Sequence, residues 1–291
     1  MKLANDESDV SEPAVAQYGA VRIIKPVSER DDASQATESA GRLHIEYSIT
    51  RVIPGAWQTM QTWPGVAKRD RSDLAETYKM LRNQVLHRMR AEGHKLLAVT
   101  SPRPMPGKSL TALNLALAIA ANYDSSVLLV DADLSLRHLQ RLFGLGDSPG
   151  LSDHLTLGSR VSGLLVNPGI DRFVFLPAGR LGVEDSAELL ATRTAQQLVQ
   201  GMKERYPDRF VIVDLPALLD RADALAFLPQ ADTTLMVVEE GATTLPDMAA
   251  AAELLAPFNL IGTVMSGPAD PDERVIGEET RPWFRRMLGR S

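Results

Sequence analysis

The sequence of 291 residues contains no cysteine, and only 5% of it is aromatic. Without cysteine there are no disulfides and no thiolate metal sites, which fits a reducing compartment. No apolar run approaches the roughly 20 residues that a bilayer-spanning helix needs. The opening residues, MKLANDESDV, are acidic and lack the apolar centre of a secretory signal. Positive charge is also scarce: 31 Lys and Arg against 37 Asp and Glu leave a formal net charge of -6, which gives no support for nucleic-acid binding. A last absence is of tyrosine, none of which follows Tyr206. What is present, 44% hydrophobic and 23% charged, is the composition of a soluble globular protein. The length allows one large α/β domain with an appendage, or two small domains.

The stretch around which the chain is organised is KLLAVTSPRPMPGKSLTALNLALAIAAN, Lys95 to Asn122. Leu96 to Thr100 is an uninterrupted apolar run, the mark of a central strand covered on both faces of a parallel sheet. From Lys108 the residues are apolar nearly all round a helical wheel, which describes a helix pressed into the protein body. Between them lies Gly107-Lys108-Ser109, the end of a phosphate loop: backbone N–H groups surround a phosphate chain, a Lys reaches it, and a hydroxyl holds Mg²⁺. Pro102 stands where the general pattern has Gly, and Met105 and Pro106 stand where small residues are common. Pro106 has no N–H to donate. An ordinary βα turn with a surface Lys is the simpler alternative.

Two further strands end in acids. Val127 to Val130 runs into Asp131-Ala132-Asp133, and Phe210 to Val213 runs into Asp214. In an open α/β sheet, ligands bind beyond the carboxyl ends of the strands, so these carboxylates face the same crevice as the phosphate loop, a position suited to a metal. Asp is also common where strands break into loops.

The remaining patterns complete a wound sheet. Asp73 with Glu76 forms a capping box opening a helix that ends near Gly93, with Leu74, Tyr78, Leu81, Val85 and Met89 as its apolar stripe and Glu76, Lys79 and Arg82 off it. Phe173 to Leu176, Thr233 to Val238 and Ile261 to Val264 read as strands; Asp185 with Glu188 caps a helix reaching about Tyr206, and Ala249 to Leu255 lies in another. This alternation predicts a mostly parallel sheet with helices on both faces over residues 73–268, which together with the Gly107-Lys108-Ser109 loop end is the pattern of a P-loop NTPase. Residues 1–72 read as a loosely ordered arm, largely linker. Within it Val21, Ile23, Ile24 and Val27 are either a short docking strand or the apolar part of a tail, and Leu43, Ile45, Tyr47 and Ile49 alternate as a half-buried strand. Trp57 and Trp63 show no period. Residues 269–291 end in ETRPWFRRMLGRS, a basic and aromatic tail suited to peripheral docking on anionic lipid or a membrane partner, or to packing on the domain.

In order and spacing these pieces resemble the bacterial tyrosine autokinase (BY-kinase) family of capsule and exopolysaccharide assembly. TSPRPMPGKS stands for Walker A, VLLVDADL for Walker A′ and FVIVDLP for Walker B, followed by matches at RLFGL, GLSDHL, LPAG with AELLAT, and NLIGTVMS. The resemblance implies ATP and Mg²⁺ as cofactors, with Pro104, Met105, Pro106, Gly107, Lys108, Ser109 and Leu110 around the phosphates. It implies that Lys108 contacts the transferring phosphate, that Ser109, Asp133 and Asp214 hold Mg²⁺ directly or through water, and that Asp131 deprotonates or orients the acceptor hydroxyl. It further implies a homo-oligomer assembled through Glu76, Lys79 and Arg82, with Lys79 in place of an Arg. The implied place is cytoplasmic, peripheral to the inner membrane beside a chain-length-determinant (polysaccharide co-polymerase) protein. Ser135 replaces an Arg of the family's Walker A′, with Arg137 further along, and the tyrosine tail is absent, so no C-terminal phosphotyrosine is expected. Two other readings are a regulatory adaptor that binds little or no nucleotide, and a partitioning-type ATPase in which Arg103 replaces the signature Lys.

Overall fold

The computed structural model describes residues 21–24, 50–63, 65–67, 73–180 and 185–267. The strand expected at Leu43 to Ile49 and the basic tail at 269–291 lie outside them. The described strands are β1 (Val21–Ile24), β2 (Arg51–Val52), β3 (Leu96–Thr100), β4 (Ser126–Asp131), β5 (Val166–Asn167), β6 (Phe173–Leu176), β7 (Arg209–Asp214), β8 (Thr233–Glu239) and β9 (Leu260–Ser266). The α-helices are α1 (Ala56–Gln61), α2 (Asp73–Ala91), α3 (Pro106–Ala120), α4 (His138–Leu142), α5 (Leu151–Leu157), α6 (Ser186–Leu190), α7 (Arg193–Glu204), α8 (Asp223–Phe227) and α9 (Leu245–Leu255).

The strands form one sheet in the order β1-β9-β8-β3-β7-β4-β6-β5-β2. From β9 to β6 every neighbouring pair is parallel; β1 on β9 and β5 on β6 are antiparallel. Such a sheet must be covered on both sides, because its helical crossovers return over its faces. Successive strand residues accordingly belong to two separate cores. Leu97, Val99, Val127, Leu129 and Ile212 meet α2 and α3 on one side; Leu96, Ala98, Leu128, Val130 and Val213 meet α7, α8 and α9 on the other.

Helix α3 lies between the sheet and α2, which explains its lack of a polar face. Leu113, Leu115 and Ile119 are wholly buried, and Thr111 Oγ1 lies 3.4 Å from Tyr78 Oη on α2. At about 1.5–3 kcal/mol per fully buried large side chain, this packing anchors the phosphate loop from behind. On α2 the expected stripe faces inward, with Tyr78, Leu81, Val85 and Met89 buried.

Two expectations change. The single helix predicted from Asp185 to Tyr206 is two, because Thr192 restarts the chain: its Oγ1 accepts from Ala195 N at 3.2 Å, while Asp185 makes no side-chain cap. The segment around Trp57 and Trp63 contains α1, whose Met60 is fully buried; Trp57 within it and Trp63 just after it pack against the first core. Gly55, at φ 83°, opens this helix from the left-handed region that Gly enters without steric cost. Among the described residues no helix is long and apolar enough to cross a membrane.

Candidate active site

Parallel pairing puts three loops at one edge. Asp131 and Asp214 are register partners at the ends of β4 and β7, and Val99 near the end of β3 is Asp214's partner on the other side. The loop after β3, Ser101 to Met105, therefore opens beside both acids, and α3 begins there with Pro106 as its first residue. Pro suits that position, since its missing N–H would have no partner inside the helix. Met105, the N-cap, offers no side-chain hydrogen bond and its first turn holds no acid, so the N–H groups of Gly107, Lys108 and Ser109 open the helix without a capping side chain.

The loop residues divide by direction. Pro104 and Pro106 are exposed, whereas Met105 is buried within the first core and Leu110 packs against it. Met105 and Leu110 therefore serve packing, and only their backbones are left for the crevice. Gly107 has a second reason to lack a side chain. A Cβ there would stand 2.4 Å from Ser266 Oγ, at the end of β9, and 2.9 Å from Met105 Cε.

Lys108 and Ser109 are buried with Asp131, Asp133 and Asp214. The Lys108 ammonium donates to Asp214 Oδ1 at 2.6 Å and to Ser109 Oγ at 3.3 Å. Asp131 Oδ2 accepts from Gln140 N at 3.0 Å, and Asp133 Oδ1 from Leu136 N at 3.1 Å. Asp131 Oδ1 and Asp214 Oδ2 are buried without a hydrogen-bond partner. One cation thus serves three acids. Burial alone would lower the Lys108 pKa, but the carboxylates of Asp214, Asp133 and Asp131 outweigh it and raise it, so the ammonium stays charged. Burial first, then the neighbouring Asp214 and Asp133, push the Asp131 pKa well above the ordinary carboxylate value.

A surplus of buried acid with unpaired oxygens, beside an uncapped helix N-terminus, is chemically suited to a divalent cation bound with an anionic phosphate chain. Among the described residues, however, no group of three or more His, Asp or Glu side chains is arranged to hold a metal by itself. The ammonium lies among the acids instead.

The structure buries Lys108, Ser109, Asp131, Asp133 and Asp214 together, puts the Met105 and Leu110 side chains against the core, and leaves Pro104 and Pro106 exposed. It adds His138 and Gln140, on α4, which the sequence did not reveal because neither belongs to a phosphate-binding pattern. The His138 pKa is lowered to about 4, first by burial and then by the Lys108 charge, so the imidazole is neutral at pH 7. Arg137, downstream of Ser135, turns away from the phosphate loop: its Nη1 donates to Arg180 O at 3.0 Å and Gly179 O at 3.2 Å and pairs with Asp147. Arg103 pairs with Asp247 on α9 at 2.9 Å. On α2, Lys79 pairs with Glu76 at 2.6 Å, and Arg82 Nη1 donates to Ala118 O on α3 at 3.0 Å.

No family model matches the chain. The chain is 30% identical over 178 residues to the tyrosine-protein kinase wzc of Salmonella typhimurium, which covers 61% of this chain and 24% of that protein. It is 32% identical over 181 residues to the succinoglycan biosynthesis transport protein ExoP of Rhizobium meliloti, covering 61% and 22%. The chain thus spans about a quarter of the length of these curated relatives. In fold it matches the kinase domain of the Escherichia coli tyrosine kinase ETK with a TM-score of 0.64, covering 76% of this chain and 90% of that one at 24% identity. A longer sequence match, 31% identical over 211 residues and covering 71% of this chain and 27% of that protein, is to the putative tyrosine-protein kinase EpsB of Ralstonia nicotianae, and by these sequence likenesses the chain belongs to the bacterial tyrosine autokinase family.

Proposed function

We propose that the chain is an ATP- and Mg²⁺-dependent kinase module of exopolysaccharide or capsule assembly that transfers a phosphoryl group to a tyrosine hydroxyl. The observation that carries this reading is the 2.6 Å contact between Lys108 after β3 and Asp214 at the end of β7, with Asp131 and Asp133 at the end of the adjoining β4. The names of the relatives supply the substrate class and the polysaccharide setting.

In this reading Lys108 exchanges Asp214 for the phosphate chain, guided by the N–H groups of Gly107, Lys108 and Ser109. Ser109, Asp133 and the freed Asp214 would hold Mg²⁺, which when bound supplies positive charge against the charge that grows in phosphoryl transfer. Asp131 turns its Oδ1 to the acceptor hydroxyl. The hydroxyl oxygen bonds to the γ-phosphorus as the bond from phosphorus to ADP breaks, and the hydroxyl proton passes to Asp131 or to water. A cytoplasmic position beside an inner-membrane chain-length-determinant protein, and self-assembly through Glu76, Lys79 and Arg82, belong to the same proposal. Assembly through that face requires the Lys79–Glu76 and Arg82–Ala118 contacts to be exchanged for contacts with a second copy.

A nucleotide-poor adaptor is the second reading, favoured by the buried Met105 and the donor missing at Pro106. Calorimetric titration of wild type and Lys108→Ala with Mg²⁺ and ATP decides between them. The kinase reading requires micromolar binding by the wild type and its loss in the variant, followed by ADP release and phosphotyrosine in the wild type alone. Identical titrations reject it.

A further inference from the structure

Helix α4 is only five residues long, yet Gln140 at its centre is 1% exposed and joins four parts of the molecule. Its backbone N–H donates to Asp131 Oδ2 at 3.0 Å. Its side-chain Nε2 faces Gly146 O at 2.7 Å, Ser148 O at 3.2 Å and Gly179 O at 3.2 Å, and its Oε1 accepts from Gly179 N at 2.9 Å. The amide is thus satisfied at both ends by the loop after α4 and by the turn after β6.

That turn is itself immobilised. Gly179 is at φ 120°, and a Cβ there would fall 2.0 Å from Ser152 Oγ. Asp153 Oδ2 accepts from Gly150 N at 2.8 Å and Arg180 N at 3.2 Å, while Leu151 N and Ser152 N donate to Pro177 O and Ala178 O at 2.8 Å. The Gln140 amide is therefore fixed by backbone groups of the loop after α4 and of the turn after β6, not by residues of the phosphate loop. Its effect inside the site is on one atom. Of the two oxygens of Asp131, Oδ2 is held and Oδ1 is left buried without a partner. A side-chain lock on the outer side of α4 and an N–H on its inner side belong to the same residue.

We propose that Gln140 is a positioning residue for phosphoryl transfer: its amide holds α4 against the Gly179 turn so that its N–H occupies Asp131 Oδ2 and leaves Oδ1 as the single oxygen available to the acceptor hydroxyl. The inference rests on the kinase reading and on Asp131's place in it. Asp131 is well placed to be merely an acceptor for the first turn of α4, and the distinction between these roles is measurable. If Gln140 acts through Asp131, its loss affects transfer and not nucleotide affinity, and it affects nothing further once Asp131 is gone.

The test uses the full chain as a double-mutant cycle of Gln140→Met, Asp131→Ala and the pair, with single-turnover transfer measured at saturating MgATP and ATP affinity measured by calorimetry. Gln140→Met keeps side-chain length while deleting the amide. Transfer is expected to fall at least tenfold with ATP affinity within twofold of wild type, and the pair is expected to match Asp131→Ala within twofold. Gln140→Glu, which retains the acceptor for Gly179 N, is expected to transfer at an intermediate rate, and it serves as the tested variant should the Met substitution not fold. Unchanged transfer in the Gln140 variants, or a further tenfold loss in the Asp131→Ala background, overturns the positioning role while leaving the kinase reading intact. A wild-type chain that neither binds nor turns over ATP overturns the kinase reading and this proposal with it.

Discussion

Two Lys–Asp pairs, one at each end of the sheet, have the same 2.6 Å separation and opposite character. At the carboxyl edge Lys108 and Asp214 are fully enclosed, Asp214 Oδ2 has no hydrogen-bond partner, and two more acids share the one ammonium. At the amino edge Lys203 and Asp232 are partly open to solvent. Asp232 Oδ2 accepts from Lys95 N and Leu96 N at 2.8 Å each, its Oδ1 accepts from Lys203, and Lys203 also donates to Gln230 O. Every strong group in the second pair is answered, so it acts as a rivet on the start of β3. The first pair leaves charge and lone pairs over, the mark of a functional rather than a structural pair.

Lys108→Ala should separate the two ends most strongly. Removing the ammonium that three buried acids share should destabilise the apo chain by about 3 kcal/mol or more. The same change should abolish ATP binding, and it should make the melting midpoint rise on adding Mg²⁺ alone, because the acids no longer have an ammonium between them. Lys203→Ala at the other edge should cost about 1 kcal/mol, with ATP binding unchanged. Denaturant titration and calorimetry check both.

Gly107→Ala comes next. Its Cβ would overlap Ser266 Oγ, so a loss of about 1–3 kcal/mol is expected from overpacking. Ser266→Gly in the same chain should restore much of it. If the double variant remains as unstable as the single one, the contact with β9 is not the reason for glycine at this position.

The acids should respond to pH with opposite sign. Burial pushes the Asp232 pKa up, but hydrogen bonds from Lys203, Lys95 and Leu96 outweigh it and hold it below the ordinary value. Its stabilisation is complete above the unfolded pKa of about 3.9 and is lost as pH falls through the lower folded value. Asp131 is raised instead, so ionising it costs stability as pH rises above the unfolded value. Asp131→Asn should therefore raise the apo melting midpoint at pH 7 by a few degrees while blocking transfer. Asp232→Asn should lower that midpoint by a similar amount, through the loss of about 1–2 kcal/mol of charge-assisted hydrogen bonding, and should flatten the acid limb of stability below about pH 4. Melting curves from pH 3 to 8 on both variants decide it, and equal signs for the two would erase the contrast between the edges.

The smallest effect concerns the rim. Arg103→Ala removes an exposed partner of Asp247, whose N–H donates to Oγ1 of the α9 N-cap Thr244, and should change the melting midpoint by less than a degree or two.

Strands β3, β4, β6, β7, β8 and β9, the apolar stripe on α2, the enclosed α3 and the acids at strand ends were legible in the sequence, whereas the short α4, α5 and α8 and the two-residue β2 and β5 were not. Period and strand-end position are local properties, and each follows from the residue types in one short window. The same windows misplaced the break at Thr192 and missed α1, since a single hydroxyl cap and a six-residue helix leave little periodicity to read. Only the tertiary structure decided that Lys108 rests on Asp214, that Met105 points into the core, that Ser266 fills the space beside Gly107, and that Gln140 holds Asp131. These contacts join residues far apart in the chain, and they exist because parallel pairing of β3, β7 and β4 brings the separate loops to one edge of the sheet.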